Sequence, residues 1–371
     1  MNGIAVMRRS SLRPVSAGLL LLALCAIAGW HLQDTLAAVW LAACWFWSGV
    51  VLGAAALQRV HVLTGGRWGE AIAPASVALQ RATSWLLLLA APLLLAAPRL
   101  YAWAGVAGWA ASMHAPGFVQ AWFAPASVGV RLMLYAVAAV VSARSLGRKT
   151  TVRSAVLGLV GYTVLGSLAS VDLVMSLQSG WTSSVFGWLV LSGQLTSAIS
   201  ALLAGLAGPI TMGAAATAGV APPPVSRDLG NLLLAWVLIQ AYLQFMQFLI
   251  IWAANLPREI VWYLPRVHGA WGAASIALVL LQLAVPVLAL LWRRVKDDPR
   301  TLRGVARILL AAQALGTVWL VLPSTPAGRE LSAGQLALAM LALGGMGLVI
   351  HGVARGAIVQ RIDFGEAVHG T

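Results

Sequence analysis

Asp172, Arg131, Glu259, Arg266 and His268 are the side chains best placed to move a proton or hold a polar ligand. Only 9% of the 371 residues are charged, so each ionisable group beside an apolar run stands out. Asp172 and His268 are candidate proton acceptors. Arg131 and Arg266 supply positive charge that tunes such an acceptor. The segment 255–271, NLPREIVWYLPRVHGAW, adds Trp262 and Tyr263 as aromatic walls. Charge beside hydrocarbon is costly, which makes an ionisable cluster at the end of a membrane span a candidate site. An ordinary interfacial loop would carry the same aromatic residues, because Trp and Tyr collect at the lipid headgroup level.

The elements that must position these groups are membrane helices. Apolar residues make up 60% of the chain, mean hydropathy is +0.87, and runs of about 20 apolar residues recur. This composition predicts an all-α polytopic membrane protein, with residues 1–371 as a single integral membrane domain. Ten spans are expected, near 15–32, 36–57, 83–98, 128–144, 154–174, 185–206, 231–253, 273–292, 305–322 and 334–353. The basic, then apolar N-terminus reads as a retained first helix because no convincing cleavage site follows it. Pro222, Pro223 and Pro224 mark 207–230 as a linker. The net charge of +14 would suggest nucleic acid in a soluble chain. Here the cations sit at helix ends, so topology explains them and no nucleic-acid partner is expected. With the N-terminus inside, only Arg99, Arg131, Arg258, Arg266 and Arg329 fall outside, five of 24 Lys and Arg. That bias places both termini in the cytoplasm.

Helical rise of about 1.5 Å per residue converts position into depth. Asp172 is the only carboxylate within an expected span. It lies near the outer end, at the depth of Arg131, Glu259, Arg266 and His268, so the five are expected to form one inward-facing patch. Gln240, Gln244 and Gln247 recur at i, i+4 and i+7, on one helix face. A stripe of amides must look into protein or a wet cavity, and helix-to-helix bonding is the plainer use for it. Tyr162, Gln194, Gln282 and Gln313 are single polar residues on separate spans. The inner half holds no Asp, Glu or Lys, which argues against a proton relay. Cys25 and Cys44 fall within apolar runs and read as buried thiols. The six histidines offer no matched axial pair, and neither CxxCH nor a CxxC cluster occurs, so no metal site or covalently bound cofactor is expected.

Four stretches together resemble the quinol:cytochrome c oxidoreductase quinone-binding subunit 2 family. That family is the smaller NrfD-like, polysulfide-reductase-type membrane subunit of alternative complex III. The stretches are Leu63 to Trp68 (LTGGRW), Arg131 to Tyr135 (RLMLY), Ser170 to Gly187 around Asp172, Met175, Trp181 and Phe186, and Asp228 to Gly269 through Gln247, Glu259, Trp262, Arg266 and His268. The chain departs from the family pattern at Gln178-Ser179-Gly180-Trp181, where relatives carry Asp-Pro-His-Trp. The resemblance implies ten helices in two four-helix bundles, about 36–206 and 231–322, flanked by 15–32 and 334–353. It implies a subunit of an electron-transfer enzyme that has no redox cofactor of its own and takes quinone or quinol as ligand. Its implied partners are a related larger membrane subunit, a periplasmic iron–sulfur protein, cytochromes c and membrane lipid. On that reading Asp172 or His268 accepts the quinol proton and Arg266 tunes it. Trp262 and Tyr263 wall the ring slot, Gln247 bonds a ring oxygen, and Glu259 and Arg131 complete the polar rim. A non-catalytic membrane scaffold that docks periplasmic redox partners is the alternative. A solute transporter fits less well, since its charges belong near the midplane.

Overall fold

The structure is a computed structural model that describes residues 2–111, 113, 115–146, 150–206 and 224–369, with side chains from residue 12 to residue 359 of these. Arg148, Lys149 and most of the expected linker, Pro222 and Pro223 included, lie outside the described residues, as do the side chains of Arg8, Arg9 and Arg361. The described residues are about 85% helical, with no strand among them. Twelve helices organise the chain: α1 Asn2–Ala28, α2 Gln33–Thr64, α3 Arg67–Gln80, α4 Thr83–Ala90, α5 Pro92–Leu100, α6 Pro125–Ser145, α7 Val152–Leu173, α8 Phe186–Ala204, α9 Val225–Ala254, α10 Gly269–Leu291, α11 Pro299–Val321 and α12 Ala333–His369. Short helical turns at Pro116–Trp122, Pro257–Ile260, Leu264–Val267 and Arg293–Asp297 connect them.

Local chemistry sets the ends. Thr151 caps α7 by accepting from the Ser154 N–H at 3.2 Å. Asp298 caps α11 by accepting from the N–H groups of Arg300 and Thr301, with Pro299 at the first helical position. Asn255 stops α9 in the left-handed region at φ 50°, the conformation a helix C-terminus favours and Asn tolerates.

Among the described residues, eight helices are long and apolar enough to cross a membrane: α2 and α6 to α12. The number rises to nine if α3 and α4, bent by 41°, form one span. The ten expected spans differ from this at two places. The described apolar part of α1, Leu12–Ala28, is a shorter helix than the others. The run expected at 83–98 is broken at Ala91, because Pro92 has no N–H to continue α4 and begins α5 instead.

Burial divides the helices into hub and rim. The apolar windows of α2 and α8 are 72% and 78% buried, whereas that of α6 is 6% buried. α2 packs against α3, α7, α8, α11 and α12, while α8 packs against α2, α7, α9 and α11. Helices from both sides of the linker therefore share one core. Indole and amide donors tie the hub to its neighbours: Trp47 Nε1 donates to Leu343 O at 2.8 Å and Gln80 Nε2 to Val51 O at 2.8 Å. Outside the hub, α1 lies along α12. Their backbones meet at Gly18 and Gly345, where a Cβ on Gly18 would sit 2.6 Å from the Gly345 carbonyl oxygen.

Candidate functional site

Asp172, the penultimate residue of α7, faces Arg131 in the second turn of α6. Arg131 Nε donates to Asp172 Oδ2 at 2.7 Å and Nη2 to Oδ1 at 3.3 Å. Tyr135 donates its hydroxyl to Oδ2 at 2.7 Å, and Trp122 donates Nε1 to Oδ1 at 3.0 Å. The remaining Arg131 nitrogen, Nη1, reaches Trp122 O at 2.9 Å and Ser127 Oγ at 2.7 Å. The guanidinium also lies 4.2 Å from the Trp122 ring centroid. Side-chain exposure is 12% for Arg131 and 3% for Asp172. Each partner is thus paired and hydrogen-bonded, as a buried ion pair must be to offset its desolvation. A cavity of about 340 Å³ adjoins this pair, walled by Trp103, Trp109, Trp122 and Trp181.

Arg266 occupies different surroundings. It sits in the Leu264–Val267 turn between α9 and α10 and is fully buried. Its terminal nitrogens donate to the carbonyls of Trp262 and Leu320, the latter at 2.9 Å, and to Ser324 Oγ at 2.8 Å. The cation lies 3.7 Å from the Trp262 ring centroid and 5.2 Å from that of Trp319. No carboxylate pairs with it among the described residues, and its Nε has no partner. Burial pushes the guanidinium down to about 9, so it carries its positive charge at neutral pH into an apolar setting.

Arg266 borders a second cavity, of about 490 Å³, within the usual range for small-molecule sites. α8, α9, α10 and α11 form its walls, and the Trp262–Val267 stretch forms one end. A belt of amides runs through it. Gln240 and Gln313 exchange two hydrogen bonds at 3.1 and 2.7 Å. Gln244 donates to Gln282 at 3.4 Å, and Gln282 donates to Ala312 O at 3.0 Å. Gln194 accepts from the Tyr162 hydroxyl at 3.0 Å, and Gln247 accepts from the Ser183 hydroxyl. A π-helical turn at Val279–Ala284 interrupts α10 and carries Gln282; such turns often accompany functional sites. Opposite lies Gly316, where a Cβ would fall 2.4 Å from Gln282 Nε2. Phe245, Phe248, Val267 and Val279 line the same cavity and are all exposed on the outer surface. The cavity therefore opens sideways, between α9 and α10, onto an apolar face.

The expected single patch is corrected to two separate arrangements. Gln247, Trp262, Tyr263 and Arg266 come together around the larger cavity. Asp172 and Arg131 form their own closed pair beside the smaller one. Glu259 is half-buried and His268 exposed; neither lines either of these two cavities, and neither makes a side-chain hydrogen bond among the described residues. Residue count gives depth in a helix bundle but not direction around it, and groups at one depth have spread apart. Trp181 joins the two sites. It lines both cavities and stacks on Trp262 with centroids 5.0 Å apart and planes 16° apart.

Gln194, Gln282 and Gln313 belong to the larger cavity although each is the only amide side chain on its helix. One signal was present for Gln313. It falls among Leu302, Val305, Ala306, Leu309 and Ala312, the buried stripe of α11. Cys25 and Cys44 are buried free thiols, and His351 bonds the Leu206 carbonyl through Nδ1. No three His, Cys, Asp or Glu side chains gather as metal ligands among the described residues. Neither a scan against models of known protein families nor a search of curated proteins gave a match.

Proposed function

We propose that this chain is a ten-span, quinone-interacting inner-membrane subunit of a respiratory electron-transfer complex of the quinol:cytochrome c oxidoreductase type. Both termini are cytoplasmic in this reading, and the quinone ring occupies the larger cavity. The observation that carries it is the cavity's combination of properties: apolar walls, a few placed amides, one buried cation, and a mouth on the lipid-facing side between α9 and α10. A quinone arrives from the bilayer with a flat ring, two oxygens and an apolar tail, and each part has a counterpart here. Trp262 and Tyr263 wall the ring, and Gln247 and Arg266 address its oxygens, one by hydrogen bonding and the other by charge. Electrons pass to redox centres on partner subunits, the larger membrane subunit, the iron–sulfur protein and cytochromes c. Asp172 holds α6 to α7 and takes no part in proton transfer, because its oxygens are already committed to Arg131, Tyr135 and Trp122.

A photoreactive azidoquinone tests this on the full chain in lipid nanodiscs. Labelling is expected on α9 and the Trp262–Val267 stretch, and unlabelled quinone should suppress it. The absence of saturable labelling there would remove the proposal. One observation favours the scaffold reading instead: Arg258 and His268 are exposed, and Glu259 partly so, in the connection that follows α9. Crosslinks from this connection to a periplasmic partner, with quinone labelling confined to the larger membrane subunit, would support scaffolding.

A further inference from the structure

The amides around the larger cavity are committed unevenly. The side-chain oxygens of Gln194 and Gln247 accept from Tyr162 and Ser183, while those of Gln240, Gln282 and Gln313 accept from neighbouring amides. The amide nitrogens of Gln194 and Gln247 have no partner among the described residues, although these residues are only 9% and 4% exposed. The Tyr263 hydroxyl, on the same wall, has none either. Arg266 adds an unpaired positive charge behind Trp262. No Asp, Glu or His lines the cavity among the described residues. Of the six lining glutamines only Gln244 has a side-chain oxygen without a donor, and Gln244 lies on the exposed side. These donors face the cavity and leave it to a ligand to supply their acceptors.

We propose that this wall recognises carbonyl oxygens and so holds the oxidised quinone in preference to the quinol. The inference rests on the quinone-binding reading above and adds the redox form to it. A quinone brings two acceptor oxygens and no donor. A quinol's oxygens also accept, but its two O–H groups need acceptors of their own, and of the lining side-chain oxygens only those of Ser197, Gln244, Tyr263 and Thr317 hold no donor among the described residues. Tighter binding of the oxidised form lowers the reduction potential of the bound couple. A tenfold preference corresponds to about 30 mV for two electrons. Ester carbonyls of phospholipids offer similar acceptors, so the test is run in a bilayer, where lipid competes throughout.

The full chain in phosphatidylethanolamine–phosphatidylglycerol nanodiscs is labelled with an azidoquinone. The label is then displaced anaerobically by decylubiquinone or by its quinol. The oxidised form is expected to displace at concentrations about tenfold lower, the equivalent of one or two hydrogen bonds. Gln247→Leu and Tyr263→Phe each remove one donor and should narrow the ratio, and Gln247→Glu should shift it toward the quinol. Tyr263→Phe deletes a single oxygen and serves if the glutamine variants do not fold, as judged by thermal unfolding. Equal or better displacement by the quinol overturns the inference and leaves quinone binding intact. Displacement by neither form, or by added phospholipid alone, removes the quinone reading and the inference with it.

Discussion

Asp172 and Arg266 show how two buried charges reach opposite arrangements. Asp172 is closed in by four donor contacts, so replacing it should act on stability before function. Asp172→Asn leaves Arg131 buried without its counter-charge, and a loss of about 3–5 kcal/mol is expected. Thermal unfolding in detergent measures this, while azidoquinone labelling of the folded fraction should persist. Arg266 has no counter-ion among the described residues, and its field acts on the cavity through the face of Trp262. Burial pushes Tyr263 up to about 12 and Arg266 down to about 9. Neither group titrates near neutrality, so quinone affinity should stay flat between about pH 5 and 8, where an ordinary histidine changes charge. A step in that interval would mean that a group other than Arg266 and Tyr263 governs the ligand. At this scale Gln247, Trp262, Tyr263 and Arg266 were legible from sequence because they crowd one helix end. The pairing of Asp172 with Tyr135 and Trp122 was not, since it depends on which faces of α6 and α7 meet.

The stripe of Gln240, Gln244 and Gln247 on α9 was legible from its period alone. Its partners on α8, α10 and α11 were not, because a single amide on a long apolar helix carries no phase of its own. The π-helical turn of α10 deepens the difficulty, for it shifts the register on which such a phase would be counted. The same turn gives a test. Gln282 occupies space that Gly316 leaves free. Gly316→Val should push Gln282 into the cavity and weaken azidoquinone labelling by about tenfold, at a cost of about 1–3 kcal/mol from overpacking. Unchanged labelling in a folded Gly316→Val protein would show that the ligand lies elsewhere. The break of α4 from α5 was marked by Pro92, yet the apolar run across it masked the signal.

The membrane-helical character of the molecule was plain from composition, whereas the shared hub of α2 and α8 was not, because neither helix separates an apolar face from a polar one and their polar side chains are themselves buried. The orientation inferred from Arg placement has its own check. A periplasm-dependent phosphatase inserted at Asn255–Leu256 should be active, and a fluorescent protein fused after residue 371 should fluoresce. The reverse pattern would invert the topology. The meeting of Gly18 with Gly345 bears on how the protein is made. The first helix emerges from the ribosome more than 300 residues before its partner. Until then its small-residue face has only lipid, or a helper of the insertion machinery, to cover it. Nascent chains stalled before residue 333 should therefore be prone to degradation, because α1 waits for a partner more than 300 residues further along the polypeptide.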